Sequence, residues 1–478
     1  MIFTSFNFLI FFPLVAIFYW VTPARFRWLT LLILSYFFYI NLKPVYDLLT
    51  AGITISTFFF TKMIDKTKVE NRKKNLMIIN IIIILLPLFF FKYFSVINNG
   101  IVHLLENYHL RWPLPEIKLI LPIGISFYTF MAIGYTLDVY YEEIEAEKNI
   151  GILALFISFF PLVLSGPIER AKNMLPQFRM KIKLDYFLAV KGFKLMLWGY
   201  FMKLVVANRI GLYIDAVYRH IPLHNGTTIF FASFLHPFQV YTDLGGYSLI
   251  AIGTANIMGI NVMCNFRRPF FAMSMAEFWR RWHISLITWL TDYVYTPLSF
   301  TFRKLGIGGI VLALMVTFFI SGIWHGAAIT FIVWGLIQGI LLSLEALSNK
   351  KRGQIEKRYG LNNKIWYLLL CCFSTYLFFT ASLIFGKSAN IAEAFLVYKK
   401  IFTNPGNLFF GEPTIFIFGT LSIMVVLLKD FVDEFMPERF LFFENKNKFI
   451  RIMSYSSVII LIILIGVLDG GQFIYFQF

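Results

Sequence analysis

The chain has 478 residues, of which 58% are hydrophobic and only 14% charged, with a formal net charge of +17. Soluble domains average about 25% charged residues, so a soluble globular fold is excluded. Nucleic-acid binding is excluded as well, because the excess Lys and Arg sits in loops between apolar runs and no basic aromatic module stands clear of them.

Apolar runs such as 78–91 are continuous and lack the alternation of barrel strands. They predict an all-α polytopic membrane protein with about 11–12 transmembrane helices plus re-entrant or interfacial pieces. Crossings are expected near residues 3–20, 28–42, 46–61, 76–97, 118–141, 187–205, 229–258, 308–324, 327–346, 365–386, 413–428 and 453–469. The first charge is Arg25, and no basic stretch precedes the first apolar run, so that run is expected to be retained as a span. Arg25 and Arg27 place the N-terminus outside, and Lys62 to Lys74 then fall inside. A second strong cytoplasmic cluster runs from Lys350 to Arg358.

Parity breaks at the basic loop 170–183, which carries Arg170, Lys172, Arg179, Lys181 and Lys183. A re-entrant or interfacial segment over 151–168, short and interrupted by Pro161 and Ser165-Gly166-Pro167, restores it. The same argument lays a helix over about 275–300 along the cytoplasmic side and makes the bend at His325 the turn between two crossings. The mixed-charge loop 429–451 is expected to be a solvated cytoplasmic segment. No internal repeat and no soluble domain are visible, so 1–478 is read as one membrane-embedded domain, with N-terminal spans over 1–115 and a motif-bearing core over 116–478.

Two histidines carry the chemistry. From Ile307 to Leu344 no residue is formally charged, and His325 stands in the middle of that stretch. An ionisable group so placed marks a functional site by default. The bland alternative is a histidine that merely hydrogen-bonds a neighbouring helix. Gly322 and Gly326 permit close approach, and Trp324 can wall an apolar tunnel. A neutral His325 is suited to act as a general base on a hydroxyl that attacks an acyl carbon. His283 follows Trp279 and Trp282 and is read as a second polar member of the same cavity, with Asp292 as candidate partner. Otherwise its helix is simply an interfacial one with aromatic and arginine anchors. Asp243, in Tyr241-Thr242-Asp243-Leu244-Gly245-Gly246, lines a cavity or lies at the interface. His103, His109, His220 and His224 fall in loops, and His236 opens a span. Cys264, Cys371 and Cys372 show neither metal spacing nor a disulfide framework. Walker A, G-x-G-x-x-G, G-x-S-x-G and H-E-x-x-H patterns do not occur.

The segments Phe278-Trp279-Arg280-Arg281-Trp282-His283 and Ser321-Gly322-Ile323-Trp324-His325-Gly326 together closely resemble the membrane-bound O-acyltransferase family. They look most like its bacterial branch that O-acetylates alginate, peptidoglycan and related exported polysaccharides. Shorter matches are Leu121–Phe127, Ser165–Ile168, Asn265-Phe266-Arg267-Arg268-Pro269-Phe270, Tyr293–Leu298 and Phe473–Phe478. Where that branch commonly has an acidic residue, this chain has Leu249. The resemblance implies a ring of tilted helices around a central tunnel, with His325 as principal catalytic histidine and His283 as the second functional one. It implies cytoplasmic acetyl-CoA, or an acyl carrier, as donor; Arg280, Arg281, Arg267 and Arg268 would face its phosphates. Trp324, Trp282, Asp292 and Asp243 are the further substrate-side candidates. The implied acceptor is a polysaccharide outside the bacterial cytoplasmic membrane, reached with an esterase-like partner protein. Transfer of D-alanine to teichoic acid is the alternative within the family. A polytopic transporter or flippase is the alternative outside it, and such proteins often show the internal repeat that is not found here.

Overall fold

The computed structural model describes residues 2–41, 44–106, 108, 121–436 and 442–468. Among the described residues every regular element is helical. Eight helices among the described residues are long and apolar enough to cross a membrane: Val45–Lys66, Glu70–Glu106, Tyr186–Tyr218, Ile307–His325, Ile329–Tyr359, Ile365–Lys387, Pro413–Phe435 and Lys448–Ile465. Phe6–Val21 and Ile150–Val163 are shorter apolar helices. The count is lower than the expected number of crossings for local reasons. Phe6–Val21, Arg27–Ile40 and Ile125–Tyr140 have only 16, 14 and 16 residues, short of the ~20 that span hydrocarbon. Gly226–Ile257 has 32 residues, but His236, Gln239, Asp243 and several Gly, Ser and Thr dilute its apolarity. The terminal Phe473–Phe478 match, His109 and the start of the 118–141 crossing lie outside the described residues.

The spanning helices present large apolar side chains outward. Ile463 and Leu464 on Lys448–Ile465 are 75% and 73% exposed, and Leu369 and Leu370 on Ile365–Lys387 are 64% and 55% exposed. Exposed apolar surface on this scale needs lipid to cover it.

The chain divides into two compact units, residues 1–196 with 250–263, and residues 197–249 with 264–478. The first unit has a phenylalanine core, in which Phe8, Phe11 and Phe38 are in mutual ring contact and Phe160 meets Phe11 and Phe38. A polar chain from Ser56 through Asn80 to Thr136 ties three of its helices together. The segment expected to be re-entrant is not one helix. Ile150–Ser158 stops at Phe159, where Pro161 forces a new start, and Phe160–Val163 follows before the Ser165-Gly166-Pro167 turn. Its side chains are almost wholly buried. Gly124, in the left-handed region at φ 83°, packs its bare Cα against the backbone of Val163, where no Cβ fits.

The second unit holds both histidine motifs. The helix expected over 275–300 is broken into Met275–Arg281, Ile284–Leu290, a π-helical turn over Thr291–Tyr295, and Thr296–Thr301. Its break is at His283, whose φ of 44° and ψ of 50° are left-handed. A non-glycine residue held there costs about 1–3 kcal/mol and persists only where its surroundings over-determine it.

Candidate active site

His325 ends the Ile307–His325 helix, and the chain turns through Gly326 before Ile329–Tyr359 begins. The sequence expectation of a turn between two spans therefore holds. The two helices pack closely because their contact positions are glycines. A Cβ on Gly322 would lie 2.6 Å from the Phe331 carbonyl oxygen, and one on Gly335 would lie 3.0 Å from Gly322 Cα. Small residues at such an interface let membrane helices approach backbone to backbone.

That approach sets the aromatic frame of the site. The half-buried His325 ring sits 4.7 Å from Trp324 and 4.8 Å from Trp334, both edge-on. Trp324 is also 6.1 Å from His283, so one indole is in ring contact with both histidines. The Nε1 of Trp334 and the hydroxyls of Ser321 and Thr330 are buried with no hydrogen-bond partner among the described residues. Buried donors in that state are costly unless something polar meets them. Ser321 precedes, and Thr330 and Trp334 follow, the turn that carries His325.

His283 is 1% exposed. Its Nδ1 lies 3.1 Å from Asn265 Oδ1, and the amide of Ile284 donates to the Asn265 carbonyl at 2.8 Å. The amide of Arg267 donates to the Arg281 carbonyl at 2.9 Å. The motif at 265–270 thus clamps the break in the 275–290 segment and holds His283 left-handed. Burial pushes the His283 imidazole down to about 3, so the ring is neutral at physiological pH.

The other expected site residues are sorted by their neighbours. Trp282 stacks on Phe278 at 5.3 Å and meets Phe379 at 5.0 Å and Phe266 at 5.2 Å; it is a packing residue of the aromatic core behind His283. Arg281 binds Glu277 at 2.6 Å and Glu434 at 2.9 Å, and Arg268 binds the other oxygen of Glu434 at 2.8 Å. These two guanidiniums are engaged by carboxylates. Arg267 and Arg280 are exposed and make no ion pair among the described residues. Asp243 is buried in an ion pair with Lys203, 2.5 Å away on the π-helical stretch Phe201–Ala207. Asp292 is exposed on the π-helical turn, and Asn265 is a side chain that faces the His283 imidazole.

In the sequence Asn265 stands only as the head of a motif, Trp334 and Lys203 are unmarked, and Glu434 falls in the mixed-charge loop 429–451, whereas Glu434 lies on the Pro413–Phe435 helix. The polar first position of Asn265-Phe266-Arg267-Arg268-Pro269-Phe270 was the available signal for Asn265. Nothing local marks Trp334 or Glu434, which reach their partners only through folding.

Two histidines joined through Trp324, among long apolar helices, define a multi-pass membrane protein. Residues 149–357 match the membrane-bound O-acyltransferase family. The probable alginate O-acetylase AlgI of Pseudomonas aeruginosa is 32% identical over 415 residues, covering 84% of this chain and 75% of that protein. The peptidoglycan O-acetyltransferase of Helicobacter pylori is 32% identical over 400 residues, covering 78% and 73%. The teichoic acid D-alanyltransferase of Bacillus subtilis is 27% identical over 287 residues, covering 55% and 70%. The chain belongs to the membrane-bound O-acyltransferase family and is an acyltransferase.

Proposed function

We propose that this protein moves an acetyl group from cytoplasmic acetyl-CoA to a hydroxyl of a polysaccharide outside the bacterial cytoplasmic membrane. The observation that carries the reading is the pair His325 and His283, bridged by Trp324 beside buried, unpartnered donors. Similarity to alginate and peptidoglycan O-acetylating proteins over most of the chain favours acetyl as the group and a glycan as the acceptor.

In this reading His325 takes the proton of the acceptor hydroxyl as its oxygen attacks the acetyl carbonyl carbon. The new ester bond forms, the thioester C–S bond breaks, and the proton passes to the leaving thiolate to give CoA thiol. Positioned proton transfer of this kind contributes about 10²–10⁴-fold. The Trp334 N–H and the Ser321 and Thr330 hydroxyls are donors that the acyl oxygen can use as charge builds on it. Arg267 and Arg280, exposed and unspent, suit the donor's phosphates better than Arg281 and Arg268. CoA is too charged to cross hydrocarbon, so only the acetyl group needs to pass. The attacking hydroxyl is the glycan's own or that of an esterase-like partner outside the membrane, which then passes the acetyl ester on to the glycan.

The test uses membranes carrying wild type or His325→Ala at matched levels, with acetyl-labelled CoA supplied on the cytoplasmic face. Label in exported glycan with wild type alone is the expected result. Equal label with both removes His325 from the chemistry. Label from D-alanine but not from acetyl-CoA replaces the acetyl reading with D-alanyl transfer.

A further inference from the structure

His283 is one of two site histidines, and a neutral histidine can work as a proton acceptor at one ring nitrogen only. Which nitrogen that is depends on where its single N–H points. The surroundings of Asn265 answer this without reference to hydrogen positions. The side-chain oxygen of Asn265 lies 3.3 Å from the backbone nitrogen of Ser285 and 2.9 Å from the Ser285 hydroxyl. A backbone N–H can only donate, so the amide atom facing it has to be the oxygen. The opposite end of the amide, Nδ2, donates to the Ser248 hydroxyl at 2.9 Å. The amide is therefore held at both ends and cannot be turned over.

His283 Nδ1 faces that same oxygen at 3.1 Å. An amide oxygen offers lone pairs and no proton, so Nδ1 must carry the hydrogen, and the lone pair of the neutral ring is on Nε2. Ser248, Asn265, His283 and Ser285 are each at most 1% exposed. Water does not compete for the arrangement, and an inverted amide would set two donors against each other at a site of low dielectric. The left-handed backbone of His283 brings Nδ1 to Asn265, while the ring stays within 6.1 Å of Trp324.

We propose that Asn265 is a positioning residue: it fixes His283 in the Nδ1–H tautomer and thereby reserves Nε2 for proton transfer in the acyl-transfer site. The proton-transfer half of this inference rests on the function proposed above, whereas the tautomer assignment does not. Asn265 acts through His283, and Ser248 and the Ser285 amide act through Asn265.

The experiment is nitrogen NMR of the full-length protein in nanodiscs, labelled with ¹⁵N-histidine. The His283 signals are identified among the seven histidines by their loss in His283→Gln. Ring-nitrogen shifts and couplings distinguish the two neutral tautomers. Wild type should show Nδ1–H. Asn265→Asp, which keeps an acceptor at the same place, should retain it. Asn265→Ala should lose the preference, and its acyl transfer should fall by about 10²-fold while Asn265→Asp keeps most of the turnover. Folding is controlled by the intact spectra of the other histidines. An Nε2–H ring in the wild type, or an unchanged tautomer in Asn265→Ala, overturns the assignment. A lost tautomer preference with undiminished transfer leaves the assignment standing and overturns the role of His283 in proton transfer.

Discussion

Gly322→Ala tests whether the separation of the two helices around His325 sets the rate. The added Cβ would stand 2.6 Å from the Phe331 carbonyl oxygen and 3.2 Å from Ile332 Cα, where ordinary contact begins at 3.4 Å. Both obstacles are backbone atoms, so no side chain can rotate away. The helices Ile307–His325 and Ile329–Tyr359 must separate by about 0.8 Å at this level to restore contact. Overpacking of that kind costs about 1–3 kcal/mol. Gly322 is three residues before His325, and the facing helix carries Trp334, so the separation changes the 4.8 Å packing of the two rings. A displacement approaching ~1 Å in a reacting constellation costs about 10²-fold in turnover. The assay is labelled acetyl transfer at matched protein levels, with thermal unfolding in nanodiscs measured in parallel. Gly308→Ala is the control, because on the same helix its Cβ would meet nothing within 4 Å. Wild-type turnover in Gly322→Ala, or an equal loss in Gly308→Ala, would refute the reasoning.

Three further outcomes are expected. Lys203→Met alone should destabilise the protein by about 3–5 kcal/mol, because it leaves Asp243 buried beside an apolar side chain. Adding Asp243→Leu should recover most of that loss in denaturant or thermal unfolding, and a double variant no more stable than the single would count against the pair. Arg280→Ala and Arg267→Ala should each raise KM for acetyl-CoA about fivefold, near 1 kcal/mol, with little change in unfolding. Arg281→Ala should instead lower stability, since it releases Glu277 and Glu434; steady-state kinetics and melting curves separate the two patterns. The third outcome concerns pH. Because burial lowers the His283 value to about 3 from about 6.5, the unfolded chain binds the extra proton first. The contribution of His283 is therefore fully present above about pH 6.5 and is lost as pH falls from there towards about 3. His283→Gln should flatten the pH dependence of unfolding in that window, and parallel curves for variant and wild type would contradict it.

The two histidine motifs were legible because their chemistry stands out against an apolar background. His325 is conspicuous in a stretch free of formal charge, and the Gly-rich turn beside it announces close packing. The broken helix over 275–301 was not legible. Its residues read as one amphipathic segment, yet the clamp from Asn265 and the left-handed His283 interrupt it. The arginines show the same limit. Arg281 stands four residues after Glu277, a pairing the spacing allows and the structure makes, but only the fold brings Glu434 to Arg281 and Arg268 and leaves Arg267 and Arg280 exposed.

Composition and periodicity alone determined that this protein is helical, multi-pass and membrane-embedded, because the transfer of apolar side chains and backbone into lipid depends on local runs of residues. Local spacing also marked both histidines. Only the tertiary structure decided that Trp324 bridges them, that Trp334 walls His325, and that Asn265 holds His283. Apart from that between the neighbours Trp324 and His325, those contacts join residues 18 or more apart in the chain or on separate helices, and their partners are selected by packing and by the need to satisfy buried polar groups, neither of which a linear pattern encodes.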